Sequence, residues 1–420
     1  MDFLMTQWDS LMTLVKGNPW NSATIAAVIS TIAGSGILSF LRRPKSASQG
    51  EAKYFADGKL LTPPTRRPAY SDRMAYVLAE MSALAYYEFE GSGGVVKDAA
   101  KHFLGRVSDN SEEIEKLLEQ FADELLVKGV DSIEFFRKIL ENSDFELIGT
   151  INVKETQGFV CRRNPSKGAS YVVVAFRGTE QKTSDWLTDA RAVPKQEGVT
   201  KVHTGFHEAL LVNEDIDGFT AMQRVEEFLD APEAKDANGE LLPVFITGHS
   251  LGGALALLAA KQLGSKIDGA SYTYGAPRVA NYDYFRGMKT PVFRVVNSSD
   301  IVPRVPPGAI MTLIVKLVQG LSWLTSLVPA VSGLLDKLEQ KLDMLMGYRH
   351  YGDQRYLTDV KSGEWNTVRL LSNPPAIDRL IWMGTQLSTN IFSPVKSHGM
   401  KLYRNKLNYI ANDRNKASGT

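Results

Sequence analysis

One short run constrains this chain more than any other: Thr247-Gly248-His249-Ser250-Leu251-Gly252-Gly253. It follows the apolar residues Val244, Phe245 and Ile246, and it opens the alanine- and leucine-rich stretch from Gly253 to Leu263. An apolar strand, a serine between glycines and then a helix make a turn too tight for side chains at the two glycine positions. The serine is forced to the tip, with its hydroxyl exposed beside the helix N-terminus. Ser250 is therefore the candidate nucleophile, and the chain must fold so that a strand runs straight into a helix at that point.

The surrounding pattern fits such a fold. Short apolar runs recur at Tyr171 to Phe176, Pro243 to Thr247, Ser271 to Tyr274 and Val292 to Val296. Runs of this length read as strands buried on both faces. Helical stretches separate them, at Arg224 to Leu229 and Gly253 to Leu263. Strands alternating with helices predict an α/β chain with a mostly parallel central sheet. Ahead of it, Glu146 to Val153 and Gly158 to Arg163 read as paired strands. Met74, Leu78, Met81 and Leu84 recur at helical spacing behind the cap-like Ser71-Asp72, so residues 71–145 are expected to form an N-terminal helical layer. Leu117 to Leu126 and Phe135 to Ile139 belong to it.

A serine hydroxyl needs a base, and the base needs an orienting acid. After a strand–serine–helix elbow the order along the chain is serine, acid, histidine. Asp300 sits in a loop after the strand ending at Val296, where functional residues of an open parallel sheet emerge. Asp283 reads instead as the start of a helix. Of the six histidines, His350 and His398 follow Asp300, and order alone does not choose between them. His102, His203, His207 and His249 read as packing or surface residues.

These pieces together resemble the class 3 lipase family, a branch of the α/β-hydrolases. The matching residues run in order: Phe176-Arg177-Gly178-Thr179, Asp185 to Asp189, Val202 to Phe206, the elbow, Tyr274 to Val279, and Asp300-Ile301-Val302-Pro303. The resemblance implies a hydrolase of carboxylic esters, with acylglycerols or phospholipids as substrates. It implies that His350, in Tyr348-Arg349-His350-Tyr351-Gly352, is structural and that His398 is the base. It also implies an oxyanion hole from the Leu251 N–H and Thr179, and a lid that begins at Trp186 and Leu187. Ser397 stands where the family often carries an acid.

Two apolar segments lie outside that pattern. Ser22 to Leu41 carries no charge and is followed by Arg42, Arg43 and Lys45. Its length is roughly that of a bilayer span. A signal peptide is disfavoured because the amino end is not basic. The expectation is a membrane helix with the catalytic domain on the cytoplasmic side; the bland alternative is a helix packed on protein. Ala26, Ser30 and Gly34 recur four apart, a stripe that permits helix–helix self-association. The second segment, 309–345, is an apolar helical insertion beside the acid loop. It bears Trp323 and Leu324, candidates for lipid contact, against the alternative of a cap over the domain's own core.

The resulting division is an anchor region over 1–45, a linker over 46–70, the hydrolase domain over 71–410 and a polar tail over 411–420. A formal net charge of +1 gives no pull towards nucleic acid. A single cysteine, Cys161, excludes an intrachain disulfide framework. No metal-ligand spacing is present, and the chemistry requires no cofactor. The expected partners are a lipid substrate and a bilayer. A silent scaffold with a hydrolase fold and an esterase of soluble esters are the rival readings.

Overall fold

The computed structural model describes residues 54–65, 69–87, 133–165, 168–178, 194–298, 300–304, 347–360, 363–375, 378 and 397–417. The chain divides into two units, one of Met1–Lys53 with Tyr87–Ile139 and one of Tyr54–Tyr86 with Leu140–Thr420. The second unit carries the sheet and every element named below. In the first, the Phe135 and Phe136 rings each lie 5.9 Å from that of Tyr87 at a tilt of 33°, and residues 133–139 are helical.

Among the described residues the sheet has eight strands. In chain order they are β1 (Phe145–Val153), β2 (Thr156–Arg163), β3 (Tyr171–Phe176), β6 (Val244–His249), β7 (Gly269–Tyr274), β8 (Val292–Asn297), β9 (Asp353–Leu357) and β10 (Leu370–Ser372), and their spatial order is the same. The five strands from β3 to β9 pair in parallel. Both flanks are antiparallel: β1–β2–β3 on one side and β9–β10 on the other. The skipped numbers, β4 (Pro194–Glu197) and β5 (Thr200–His203), form a separate hairpin. The mostly parallel sheet expected from the sequence is thus parallel at its centre and antiparallel at its edges.

Helices cover both faces, which is what lets the central strands be apolar throughout. All six residues of β3 and of β6 are buried. On one face, Val172, Val174 and Phe176 join a core with Leu210 of α2 (Thr204–Leu211), Val225 of α3 (Ala221–Asp230) and Leu258 of α4 (Leu251–Leu263). On the other, α1 (Asp72–Leu84) packs between the sheet and α5 (Met400–Ala417). The Cys161 thiol meets the Met81 thioether there at 4.0 Å. As its sequence predicts, α1 is capped by the Ser71 hydroxyl, which accepts from the Met74 N–H.

Two expectations change. Residues 54–61, expected to be linker, are packed: Phe55, Leu60 and Leu61 are buried. Asp57 Oδ2 accepts from Asn408 and Asn412 of α5, at 2.8 and 2.7 Å. The tail expected from 411 is helical as far as Ala417, with Ala411 buried and Arg414 paired to Asp72. In both cases a polar composition concealed a surface whose side chains bond to a distant element. Among the described residues no helix is long and apolar enough to cross a membrane. Segments 22–41 and 309–345 lie outside those residues, as does Leu117 to Leu126.

Candidate active site

The elbow is built by exclusion of side chains. A Cβ on Gly252 would lie 2.3 Å from the Phe176 carbonyl oxygen, and one on Gly248 would lie 2.3 Å from the Gly252 carbonyl carbon. Only glycine lets β6, the end of β3 and the first turn of α4 come so close. Between them Ser250 adopts φ 58° and ψ −125°, a region that costs a non-glycine residue about 1–3 kcal/mol. The surroundings hold it there. The Ser250 N–H donates to the Tyr274 carbonyl at 2.9 Å, and the Ser250 carbonyl accepts from Gly253 and Ala254. Beneath the turn, the buried Thr247 hydroxyl lies 2.8 Å from the Ser82 hydroxyl and 2.9 Å from the Tyr272 carbonyl. Leu251 is the first residue of α4, so its N–H is one of the four that the helix itself leaves unbonded.

Asp300 and His398 meet across the loops that follow β8 and precede α5. His398 Nδ1 lies 3.0 Å from each carboxylate oxygen of Asp300. Asp300 is fully buried, and two further donors converge on it. The Tyr403 hydroxyl donates to Oδ2 at 2.6 Å, and the Val302 N–H donates to Oδ1 at 2.9 Å. Three donors on one group suit an acceptor-only carboxylate. With Nδ1 carrying the shared proton, a neutral His398 leaves Nε2 as its acceptor, the state a general base needs. Burial, then the nearby Asp300 charge, pushes the Tyr403 phenol well above its ordinary range, so it stays a donor. Gly275, with φ +57°, passes beside this pair; a Cβ there would lie 2.7 Å from Asp300 Oδ2 and 3.1 Å from His398 Nδ1.

The elbow and the acid–base pair come together through His249. Its ring lies 4.5 Å from that of His398, one residue before the candidate nucleophile. A serine on a strained strand–helix turn, whose preceding residue His249 lies 4.5 Å ring to ring from a histidine paired with a buried carboxylate, is an arrangement suited to acyl transfer.

Residues 173–309 match the family described as "Lipase (class 3)". Over those residues the chain is similar to class 3 lipases. It is 33% identical over 188 residues to a lipase of Rhizomucor miehei, covering 40% of this chain and 46% of that protein. It is 28% identical over 242 residues to phospholipase A1-Igamma2, chloroplastic, of Arabidopsis thaliana, covering 46% and 45%. The chain therefore spans under half the length of these relatives. A crystal structure of the lipase from Rhizopus microsporus var. chinensis aligns with a TM-score of 0.35 at 26% identity, over 53% of this chain and 64% of that one.

The class 3 match ends before His350 and His398. His350 Nε2 donates to the Pro303 carbonyl at 2.6 Å, tying two loops together, and His398 is the histidine that meets Asp300. Asp283 begins a short 3-10 turn and pairs with Arg286 at 2.6 Å, in line with its reading as a helix start. His203 stacks on Phe206 with ring centroids 3.9 Å apart. Thr179, Trp186, Leu187, Trp323 and Leu324 lie outside the described residues. His249, read from the sequence as a packing or surface residue, is buried and packs against Tyr86, His398 and Tyr403, and Tyr403, Asn297 and Tyr86 had no assigned role. The available signal was weak: Tyr403, Leu407 and Ile410 repeat at helical spacing directly after His398, with a hydroxyl on an otherwise apolar stripe.

Proposed function

We propose that this chain is a membrane-associated lipase, hydrolysing carboxylic ester bonds of acylglycerols or phospholipids through Ser250, His398 and Asp300. The observation that carries the reading is the Asp300–His398 pair near a strained Ser250 elbow, with Ser250 and Asp300 inside the segment that matches class 3 lipases. His398 takes the proton of the Ser250 hydroxyl as it attacks the ester carbonyl. Asp300 holds the imidazole and stabilises its charged form. The oxygen of the tetrahedral intermediate is stabilised by the Leu251 N–H and by Thr179, and losing one such donor typically costs about 3–4 kcal/mol. Collapse breaks the bond to the leaving oxygen, which takes the proton from His398 and departs as the alcohol, leaving an acyl-enzyme and a neutral His398. Water, activated by the same histidine, then releases the fatty acid.

The lipid assignment rests on the relatives' names and on the apolar composition of 22–41 and 309–345. In this reading 22–41 anchors the catalytic unit on the cytoplasmic face, and Trp186, Leu187, Trp323 and Leu324 meet the substrate's acyl chains. The deciding experiment compares full-length protein on emulsified triacylglycerol, phospholipid vesicles and a soluble short-chain ester. Ser250→Ala is expected to remove activity by on the order of 10⁴-fold or more; equal turnover by the variant sinks the reading. Vesicle flotation of the full chain and of Val28→Asp/Ile32→Asp separates anchoring from catalysis.

A further inference from the structure

Two consecutive backbone carbonyls on the loop that carries His398 are each held by a buried side chain. The Ser397 carbonyl accepts from Asn297 Nδ2 at 2.6 Å. The His398 carbonyl accepts from His249 Nε2 at 2.8 Å. The two donors come from the ends of different parallel strands: Asn297 is the last residue of β8 and His249 the last of β6. We propose that His249 and Asn297 are positioning residues that set the orientation of the His398 ring by clamping its backbone. This inference rests on the hydrolase reading above and adds to it two residues that act through His398.

Each donor is itself fixed. A carbonyl only accepts, so His249 Nε2 carries the proton. In the neutral ring Nδ1 is then the acceptor, and the Tyr86 hydroxyl donates to it at 2.8 Å. The groups facing His249 are Tyr86, His398 and Tyr403. Burial, and after it the neighbouring His398, hold the His249 imidazole well below its ordinary range. A neutral ring here is a requirement, because a cation 4.5 Å from His398 would oppose the imidazolium that forms during attack. The Tyr86–His249 pair is seated against Gly178, where a Cβ would lie 2.1 Å from the Tyr86 oxygen and 2.6 Å from the His249 carbonyl oxygen.

Asn297 is bound on all sides. Its Oδ1 accepts from the buried Lys406 ammonium at 2.6 Å, and its N–H donates to the Tyr403 hydroxyl at 2.9 Å. Lys406 is partnered by Asp359 at 3.3 Å. One amide therefore connects the loop before α5 to α5 itself, and through Tyr403 to Asp300. With Nδ1 held by Asp300 and both carbonyls pinned, the direction of the Nε2 lone pair is determined from three sides. A misplacement of about 1 Å at such a group costs on the order of 10²-fold in rate.

The test uses the full-length chain and four variants: His249→Phe, His249→Gln, Asn297→Asp and the double variant His249→Phe/Asn297→Asp. His249→Gln retains an N–H donor, and Asn297→Asp keeps the acceptor for Lys406 while losing the donor to Ser397. On a soluble short-chain ester, His249→Phe and Asn297→Asp are expected to lower kcat by about 10- to 100-fold with KM within about twofold. His249→Gln recovers most of the loss, and the double variant loses less than the product of the singles. Circular dichroism and melting identify any variant that fails to fold, in which case His249→Gln against wild type and the Asn297→Asp pair carry the decision.

A readout independent of turnover is the far-downfield proton resonance of His398 Nδ1 in histidine-labelled protein. It is expected in wild type and His249→Gln, and broadened or lost in His249→Phe and Asn297→Asp. Unchanged kcat and an unchanged resonance in the folded clamp variants overturn the proposal. If wild type instead hydrolyses no ester and Ser250 does not react with a fluorophosphonate, the hydrolase reading fails and the resonance alone decides the clamp.

Discussion

The two halves of the site are held by different physics. Ser250 is positioned by backbone: glycines at 248 and 252, a strand before it, a helix after it, and close approach of the Phe176 and Tyr274 main chain that leaves the turn one path. Asp300 and His398 are positioned by side chains from far along the chain. Tyr403, Asn297 and His249 lie 103, 100 and 149 positions from the residues they bond. Backbone exclusion is local and changes abruptly when a single Cβ is added. A side-chain network is distributed, so removing one member loosens it by degrees.

The largest expected effect breaks the network at its centre. Asp300→Asn retains the size of the side chain but presents an amide to His398 and favours the wrong tautomer. On the precedent of serine hydrolases, kcat should fall by about 10⁴-fold with the fold intact. Steady-state kinetics with a soluble ester measure it; a loss below tenfold would mean that Asp300 does not orient the base. Next comes the elbow. Gly252→Ala places a Cβ against the Phe176 carbonyl, a backbone atom that cannot swing away. Overpacking of this kind typically costs about 1–3 kcal/mol, and the displaced turn should lower kcat by on the order of 10²-fold. Gly58→Ala is the control, since a Cβ there meets nothing within 4 Å. Urea denaturation of the pair should separate them, and equal midpoints would break the contrast between local and distributed positioning.

A smaller effect sharpens the distributed half. Tyr403→Phe removes one of the donors to Asp300 and the acceptor for the Asn297 N–H. Each unsatisfied buried group costs about 1–3 kcal/mol, yet His398 and Val302 still hold the carboxylate. The expected loss in kcat is about tenfold, well short of that for Asp300→Asn. Equal losses in the two variants would make the phenol as important as the carboxylate itself.

The same division explains what the sequence made visible. Val244 to Gly253 could be read as strand, turn and serine because the apolar run, the two glycines and the helix start lie within ten residues of each other, even though the Phe176 carbonyl that confines Gly252 does not. β3 was equally readable, since burial on both faces leaves an unbroken apolar run from Tyr171 to Phe176. Short or polar elements left weaker traces: β10 is only Leu370–Ser372, and β4 and β5 carry Lys195, Gln196, Thr200 and Lys201. Residues 54–61 looked like linker because Asp57 finds its partners, Asn408 and Asn412, only in three dimensions. His398 could not be separated from His350 by order, and the family resemblance chose it. His249 could be read only as packing or surface, because a histidine beside a serine has no distinguishing spacing and the His398 carbonyl it bonds is brought to it by the last loop.

The smallest expected effect concerns the residue that joins the two halves. His249 is held well below the ordinary imidazole value of 6.5, first by burial and second by His398. Its depressed value means that, as pH falls below 6.5, the unfolded chain takes up a proton that the folded one resists. The stability contributed by a neutral His249 is therefore complete above that pH and declines below it, by at most about 1.4 kcal/mol per pH unit for one proton. His249→Gln removes the titrating group while keeping a donor for the His398 carbonyl. Urea midpoints measured from neutral pH down to about pH 5 should then fall less steeply for the variant than for wild type. Parallel slopes would show that the His249 ring admits a proton within the folded site. In that case the junction between elbow and base is looser than its hydrogen bonds to Tyr86 and His398 imply, and the contrast between a rigid nucleophile and a tunable base gives way to a site that relaxes as a whole.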